Sequence, residues 1–122
     1  MKTLRILIIH DDSEQGLVTS LNLLPERLDI RSMVGGWFDC VRTDDGALVG
    51  YVNDSGLTDG MAPNVMASIV FGRPLYGPCV VVGGLNEAGE YDGDNHDVPE
   101  NRALGLLLMN ELFRLRPEST TV

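Results

Sequence analysis

Apolar residues in the first part of the chain fall in short runs between polar clusters, a spacing that predicts strands and short helices. Leu4–Ile9 is rich in isoleucine and leucine without a helical period and reads as a buried strand, ended by His10, Asp11, Asp12 and Ser13. Gly16–Leu23 fits either a second short strand or the lead into a helix. The helix itself is expected within Leu24–Val34, with Asn22 as candidate cap, Pro25 in the first turn and Gly35-Gly36 as the stop. Leu24, Leu28 and the stem of Arg31 would share its buried face. Trp37–Arg42 and Ala47–Val52 are strand-like runs joined by Thr43-Asp44-Asp45-Gly46, and Asp-Gly favours the positive backbone angles of a tight hairpin. Asn53 to Asn64 is crowded with Asn, Asp, Ser, Gly and Pro and reads as a loop, after which Asn64 is placed to cap a short helix over Val65–Val70. Pro78–Val82 is another buried strand, ended by Gly83-Gly84.

The longest periodic element is a C-terminal helix over about 98–116. Asp97 and Glu100 have capping-box spacing, Pro99 fits a first turn, and Pro117 marks the end. Its apolar residues cover an arc of roughly 200°, whereas one buried face needs only about 100°. Leu104, Leu108, Met109, Leu112 and Phe113 are therefore assigned to an interface with a second copy, as a homodimer or higher oligomer. The fold class expected is α+β: a small mixed or antiparallel sheet with a central hairpin, a short helix and a long C-terminal helix. One domain spans 1–122, since 122 residues hardly suffice for two.

Composition narrows the classes of function. The chain is 43% hydrophobic, enough for a real core. Two cysteines, Cys40 and Cys79, are too few for a disulfide framework and are read as buried thiols. No run is long enough for a signal peptide or a membrane span, so a cytoplasmic protein without membrane contact is expected. Acidic residues number 18 against 9 basic ones, which argues against gripping nucleic-acid backbones. The charge is also local. Glu87, Glu90, Asp92, Asp94, Asp97 and Glu100 carry −6 of the net −9 without a base among them. A second acidic stretch, Asp39 to Asp59, holds five acids against Arg42 alone.

Several catalytic readings fail on their missing parts. Leu7-Ile8-Ile9-His10-Asp11-Asp12 imitates the first strand and acid pair of a two-component receiver, but Lys2 is the only lysine and the centre is a hairpin. The cluster Asp92, Asp94, His96 and Asp97 offers oxygen and nitrogen donors for a cation, without the fixed spacing of a calcium loop. His10, Asp11 and Asp12 would complete a metal-dependent hydrolase if they met Asp92, Asp94 and His96 in space. No serine stands in a nucleophile elbow. Gly83-Gly84 follows a strand as phosphate loops do, but no P-loop pattern follows it.

The middle of the chain resembles a known family. Val34-Gly35-Gly36-Trp37-Phe38-Asp39, Val52-Asn53-Asp54-Ser55-Gly56-Leu57, Ala62-Pro63-Asn64-Val65-Met66-Ala67 and Gly77-Pro78-Cys79-Val80-Val81-Val82-Gly83 follow in order. They are similar to a small domain-of-unknown-function family found in bacteriophages, plasmids and other mobile elements. The match covers Met33 to Gly84, so the C-terminal helix falls outside its pattern. The resemblance implies no catalytic mechanism. It implies accessory roles such as blocking host defence or sequestering a signal molecule.

The function expected from sequence is therefore non-enzymatic, with no catalytic residue, cofactor or favoured metal. The protein would bind a host protein or a small nucleotide-like ligand in the cytoplasm, that of the host if phage-encoded. The candidate ligand-binding residues are Asn53, Asp54, Gly56, Asn64, Gly83 and Gly84. The alternatives are the hydrolase and an acidic DNA mimic that occupies the basic groove of a nucleic-acid enzyme.

Overall fold

The computed structural model describes residues 2–14 and 18–115. Its five strands are β1 (Leu4–Ile9), β2 (Val18–Leu23), β3 (Phe38–Arg42), β4 (Leu48–Asn53) and β5 (Cys79–Gly83). They form one antiparallel sheet in the order β2-β1-β5-β4-β3. Three helices complete the α+β fold: α1 (Ile30–Val34), α2 (Val65–Phe71) and α3 (Glu100–Leu115).

Two hairpins, β1–β2 and β3–β4, flank β5, which comes last in sequence and lies central in space. Leu7 and Gly50 both face Val81 across the ladder, one from each side. Every residue of β5 is buried because both faces of the sheet are covered, which explains its unbroken apolar run. On one face Leu7, Ile9, Leu48, Val52, Cys79 and Val81 pack with Met66, Ala67 and Phe71 of α2 and with Ala103 and Leu106 of α3. On the other, Ile6, Val49, Val80 and Val82 pack with Val34, joined by Leu28, Ile30 and Met33.

The expected hairpin, the Asn53–Asn64 loop, the short helix after Asn64 and the strand before Gly84 are all present. The segment Leu24–Val34 differs. It holds a single 3₁₀ turn at Pro25–Arg27, an extended Leu28, and then α1. Asn22 lies in β2 rather than capping anything; Asp29 caps α1 by accepting from the Ser32 amide, and Gly35 ends it at φ 81°. The capping box is a second correction. Asp97 accepts from the Arg5 amide at 2.6 Å, and α3 starts at Glu100 after the Pro99 carbonyl takes the Arg102 and Ala103 amides. Cys40 is a third: it is exposed, because β3 is an edge strand and its side chain lies on the open part of the α1 face. Cys79 is buried, which pushes its thiol up to about 12. Pro117 and Gly16 lie outside the described residues.

Helix α3 divides its apolar arc between core and solvent. Met109 and Phe113 pack against the core cluster, while Leu104, Leu108 and Leu112 are 61%, 61% and 60% exposed. No described helix is long and apolar enough to cross a membrane.

A Cβ on Gly50 would stand 2.8 Å from both Cys79 Sγ and the Phe71 ring. Gly50→Ala is therefore expected to lower the unfolding free energy by about 1–3 kcal/mol in urea titrations, with part recovered by adding Phe71→Leu. At the tip of the β3–β4 turn, hydrogen bonds from the Ala47 amide, the Thr43 hydroxyl and Arg102 hold Asp45 down to about 2. A depressed carboxyl stabilises the fold above its ordinary value and loses that contribution as pH falls towards its folded value. Thermal melts from pH 5 to 2 are thus expected to fall more steeply for the natural chain than for Asp45→Asn.

Candidate functional site

The six residues proposed from sequence to hold a ligand are used by the scaffold or stand apart from one another. Asn64 is fully buried: its amide donates to the Ile9 carbonyl at 2.8 Å and the Gly77 carbonyl at 2.9 Å, and its Oδ1 accepts from the Ala67 amide. It caps α2 and at the same time ties α2 to the end of β1 and the approach to β5. Asn53 is buried likewise, donating to the Val34 carbonyl and accepting from the amide and hydroxyl of Ser55. Asp54 is exposed and donates its amide to the Trp37 carbonyl. Gly56 lies against the Tyr76 backbone, where an added Cβ would meet the carbonyl oxygen at 3.0 Å.

The two late glycines are required by crossing backbone. A Cβ on Gly83 would sit 2.1 Å from the Asp97 carbonyl oxygen, and one on Gly84 would sit 2.3 Å from that of Gly46. Gly83 and His96 exchange backbone hydrogen bonds, so the end of the acidic loop passes directly over β5. At both glycines the space where a Cβ would stand is taken by this crossing backbone.

The two His/Asp clusters sit at opposite ends of the sheet. Asp97 and Val98 contact Arg5 near the start of β1, whereas His10 follows its end, roughly 17 Å away at strand rise. His10 Nε2 lies 3.0 Å from the Thr19 hydroxyl. Asp11 accepts from Ser13, and Asp12 accepts from the Val65 amide at the start of α2. In the other cluster His96 Nε2 is 2.7 Å from Asp92, whose carboxyl lies below its ordinary value chiefly through that bond. Asp94 donates its amide to Asp92, and Asp97 is turned to Arg5. Among the described residues no three His, Cys, Asp or Glu side chains converge on a metal position.

Among the described residues several hollows are open to solvent, one of about 380 Å³ walled by Arg42, Gly46, Leu85 and Tyr91. Another of about 590 Å³ lies between Lys2, Leu4 and Pro25 and the acidic-loop residues Asn86, Glu87 and His96. An apolar one of about 400 Å³ is walled by Pro63, Val65, Ile69, Pro74 and Tyr76.

The most developed surface is one that sequence reasoning missed. On the α1 face of the sheet, Phe38 and Tyr51 meet edge to face with ring centroids 5.4 Å apart. Arg42 lies over the Tyr91 ring at 4.5 Å, and Arg31 of α1 lies over Trp37 at 4.0 Å. Tyr51 donates its hydroxyl to Asn95, which anchors the acidic loop beside these rings, and partial burial raises its ionisation above the ordinary value. Four of the chain's seven aromatic residues are thus strung along β3, from Trp37 before its start to Tyr91 against Arg42 at its end, and Trp37 and Tyr91 remain 65% and 62% exposed. The available signal was the alternation Phe38, Cys40, Arg42, which puts three side chains on one face of a strand. The acids Glu87, Glu90, Asp92 and Asp94 of the neighbouring loop are all exposed.

A family model described as a domain of unknown function (DUF3846) matches residues 4–103. That span takes in the whole sheet and reaches the first turn of α3, well beyond Met33–Gly84. No curated protein and no solved structure matches the chain.

Asn64→Ala removes two buried donors and an acceptor together. It is expected to destabilise the fold by about 3 kcal/mol or more, since each stranded buried group costs about 1–3 kcal/mol. Asn64→Asp, which cannot donate to the two carbonyls, is expected to fare no better in the same urea titration without any ligand present.

Proposed function

The chain belongs to the DUF3846 family, and on that premise we propose that it is a non-enzymatic binding domain that docks on a host protein through the aromatic surface beside β3. The observation that carries this reading is the concentration of exposed Trp37, Phe38 and Tyr91 with Arg31 and Arg42 stacked among them. Aromatic and arginine side chains dominate the energetic centres of protein interfaces, because large rigid rings bury much area at little entropic cost. Stacking also holds the two arginines in place before contact, which reduces what binding must order.

The partner's chemistry follows from what borders the rings. The acidic loop stands on one side, and Asp44 follows β3 in the turn to β4. A matching protein surface would offer an apolar cleft for the rings, edged by lysine or arginine. An accessory protein of a mobile element, the setting suggested by the motif resemblance, has use for such a surface in redirecting or blocking a host protein. The small-ligand version of this reading is weaker, because the buried amides of Asn53 and Asn64 are engaged with backbone.

Trp37→Ala and Tyr91→Ala are each expected to abolish capture of a basic host protein by the immobilised chain while leaving its melting temperature unchanged. Capture by the natural chain should also fall as salt rises. Capture that survives both substitutions overturns the reading. A melting-temperature rise with nucleotides, lost in the same variants, would instead assign the surface to base stacking.

A further inference from the structure

Strand β3 ends the sheet, and its sequence fits a second copy of itself. Thr43 donates its amide to Leu48 and Asp54 donates to Trp37, so the inward-bonding positions of this strand are the odd-numbered ones. Phe38, Cys40 and Arg42 therefore direct their backbone N–H and C=O groups away from β4, and no described residue hydrogen-bonds to them there. An unpaired row of this kind is a template for another strand unless proline, a bulge or a cover blocks it, and β3 has no proline.

We propose that β3 pairs antiparallel with β3 of a second copy about a twofold axis through Cys40, joining two sheets into one. The side chains select this register. With the axis at Cys40, every outward-facing residue is paired: Phe38 opposes Arg42 of the second copy, Cys40 opposes Cys40, and Arg42 opposes Phe38. Phe38 then comes beside a guanidinium that already lies over Tyr91, a favourable ring–cation arrangement. An axis at Asp39 would set two carboxylates directly opposite and leave Arg42 unpaired, and an axis at Val41 would leave Phe38 unpaired. The other edge, β2, carries no charge with which to fix a register. An axis perpendicular to the sheet keeps both α1 faces on one side, so two aromatic surfaces would lie next to each other. The dimer does not depend on the partner reading above.

Sedimentation equilibrium and crosslinking test it together. The natural chain should sediment as a dimer, and a short bismaleimide should link two chains through Cys40, since Cys79 is buried. Cys40→Pro removes an outward N–H without touching the β3–β4 ladder, and should give a monomer with an intact cooperative melt. Phe38→Arg opposes two arginines across the axis and should weaken the dimer about tenfold. Adding Arg42→Glu makes each opposed pair Arg–Glu and should restore it, a rescue that loss of folding would not show. A chain that stays monomeric at high concentration overturns the proposal. So does a dimer that persists in a folded Cys40→Pro chain, or one lost on Leu108→Glu with β3 untouched, which would place the interface on α3.

Discussion

The end of β1, the approach to β5 and the first turn of α2 are held together by one side chain, the buried carboxamide of Asn64. An amide suits this point because it donates twice and accepts once from a single rigid plane. The segment between Asn64 and Gly77 closes on itself around it. The Asn64 amide donates to Leu75, Leu75 donates to the Ser68 hydroxyl, and that hydroxyl donates back to the Asn64 carbonyl. β5 thus enters the sheet from a fixed point beside β1, although more than half of the chain lies between the two strands. With β5 in place both hairpins gain a common inner neighbour, and both faces of the sheet acquire a core.

How far the fold was legible depends on the range of the interactions involved. The hairpin around Asp45-Gly46, the cap at Asn64 and the stop at Gly35 rest on local backbone chemistry, and all three are present. The insertion of β5 between the hairpins rests on contacts distant in sequence, and no local pattern announces it. Asp97 shows the difference clearly. Its spacing from Glu100 satisfies a local rule, but the Arg5 amide, 92 positions away, takes its carboxylate instead. Leu24–Val34 failed for the opposite reason: Asp29 offers a new cap partway along and splits one expected helix into a turn and α1.

The candidate site was less legible because asparagine and glycine carry no mark of their use. Asn53 and Asn64 have the chemistry of ligand contacts, yet burial delivers their polar atoms to backbone groups that would otherwise be unsatisfied. Gly83 and Gly84 look like a phosphate turn and act as crossing points for other backbone. Conversely, Phe38 and Tyr51 look like core residues in sequence, and only the position of β3 at the sheet edge leaves their surroundings open.

The same edge position explains why acid and aromatic side chains belong together on this chain. A sheet covered on both faces has spent its interior on packing, so recognition must come from its rim and its loops. Exposed rings at a rim invite unselective association. In the docking role proposed above, the acidic loop beside them, tied down through Asn95 to Tyr51, would add a negative border that disfavours acidic partners and favours basic ones. The net charge of −9 is in this view not a property of the whole surface. Glu87, Glu90, Asp92 and Asp94 lie together on the exposed loop that Asn95 ties beside the rings.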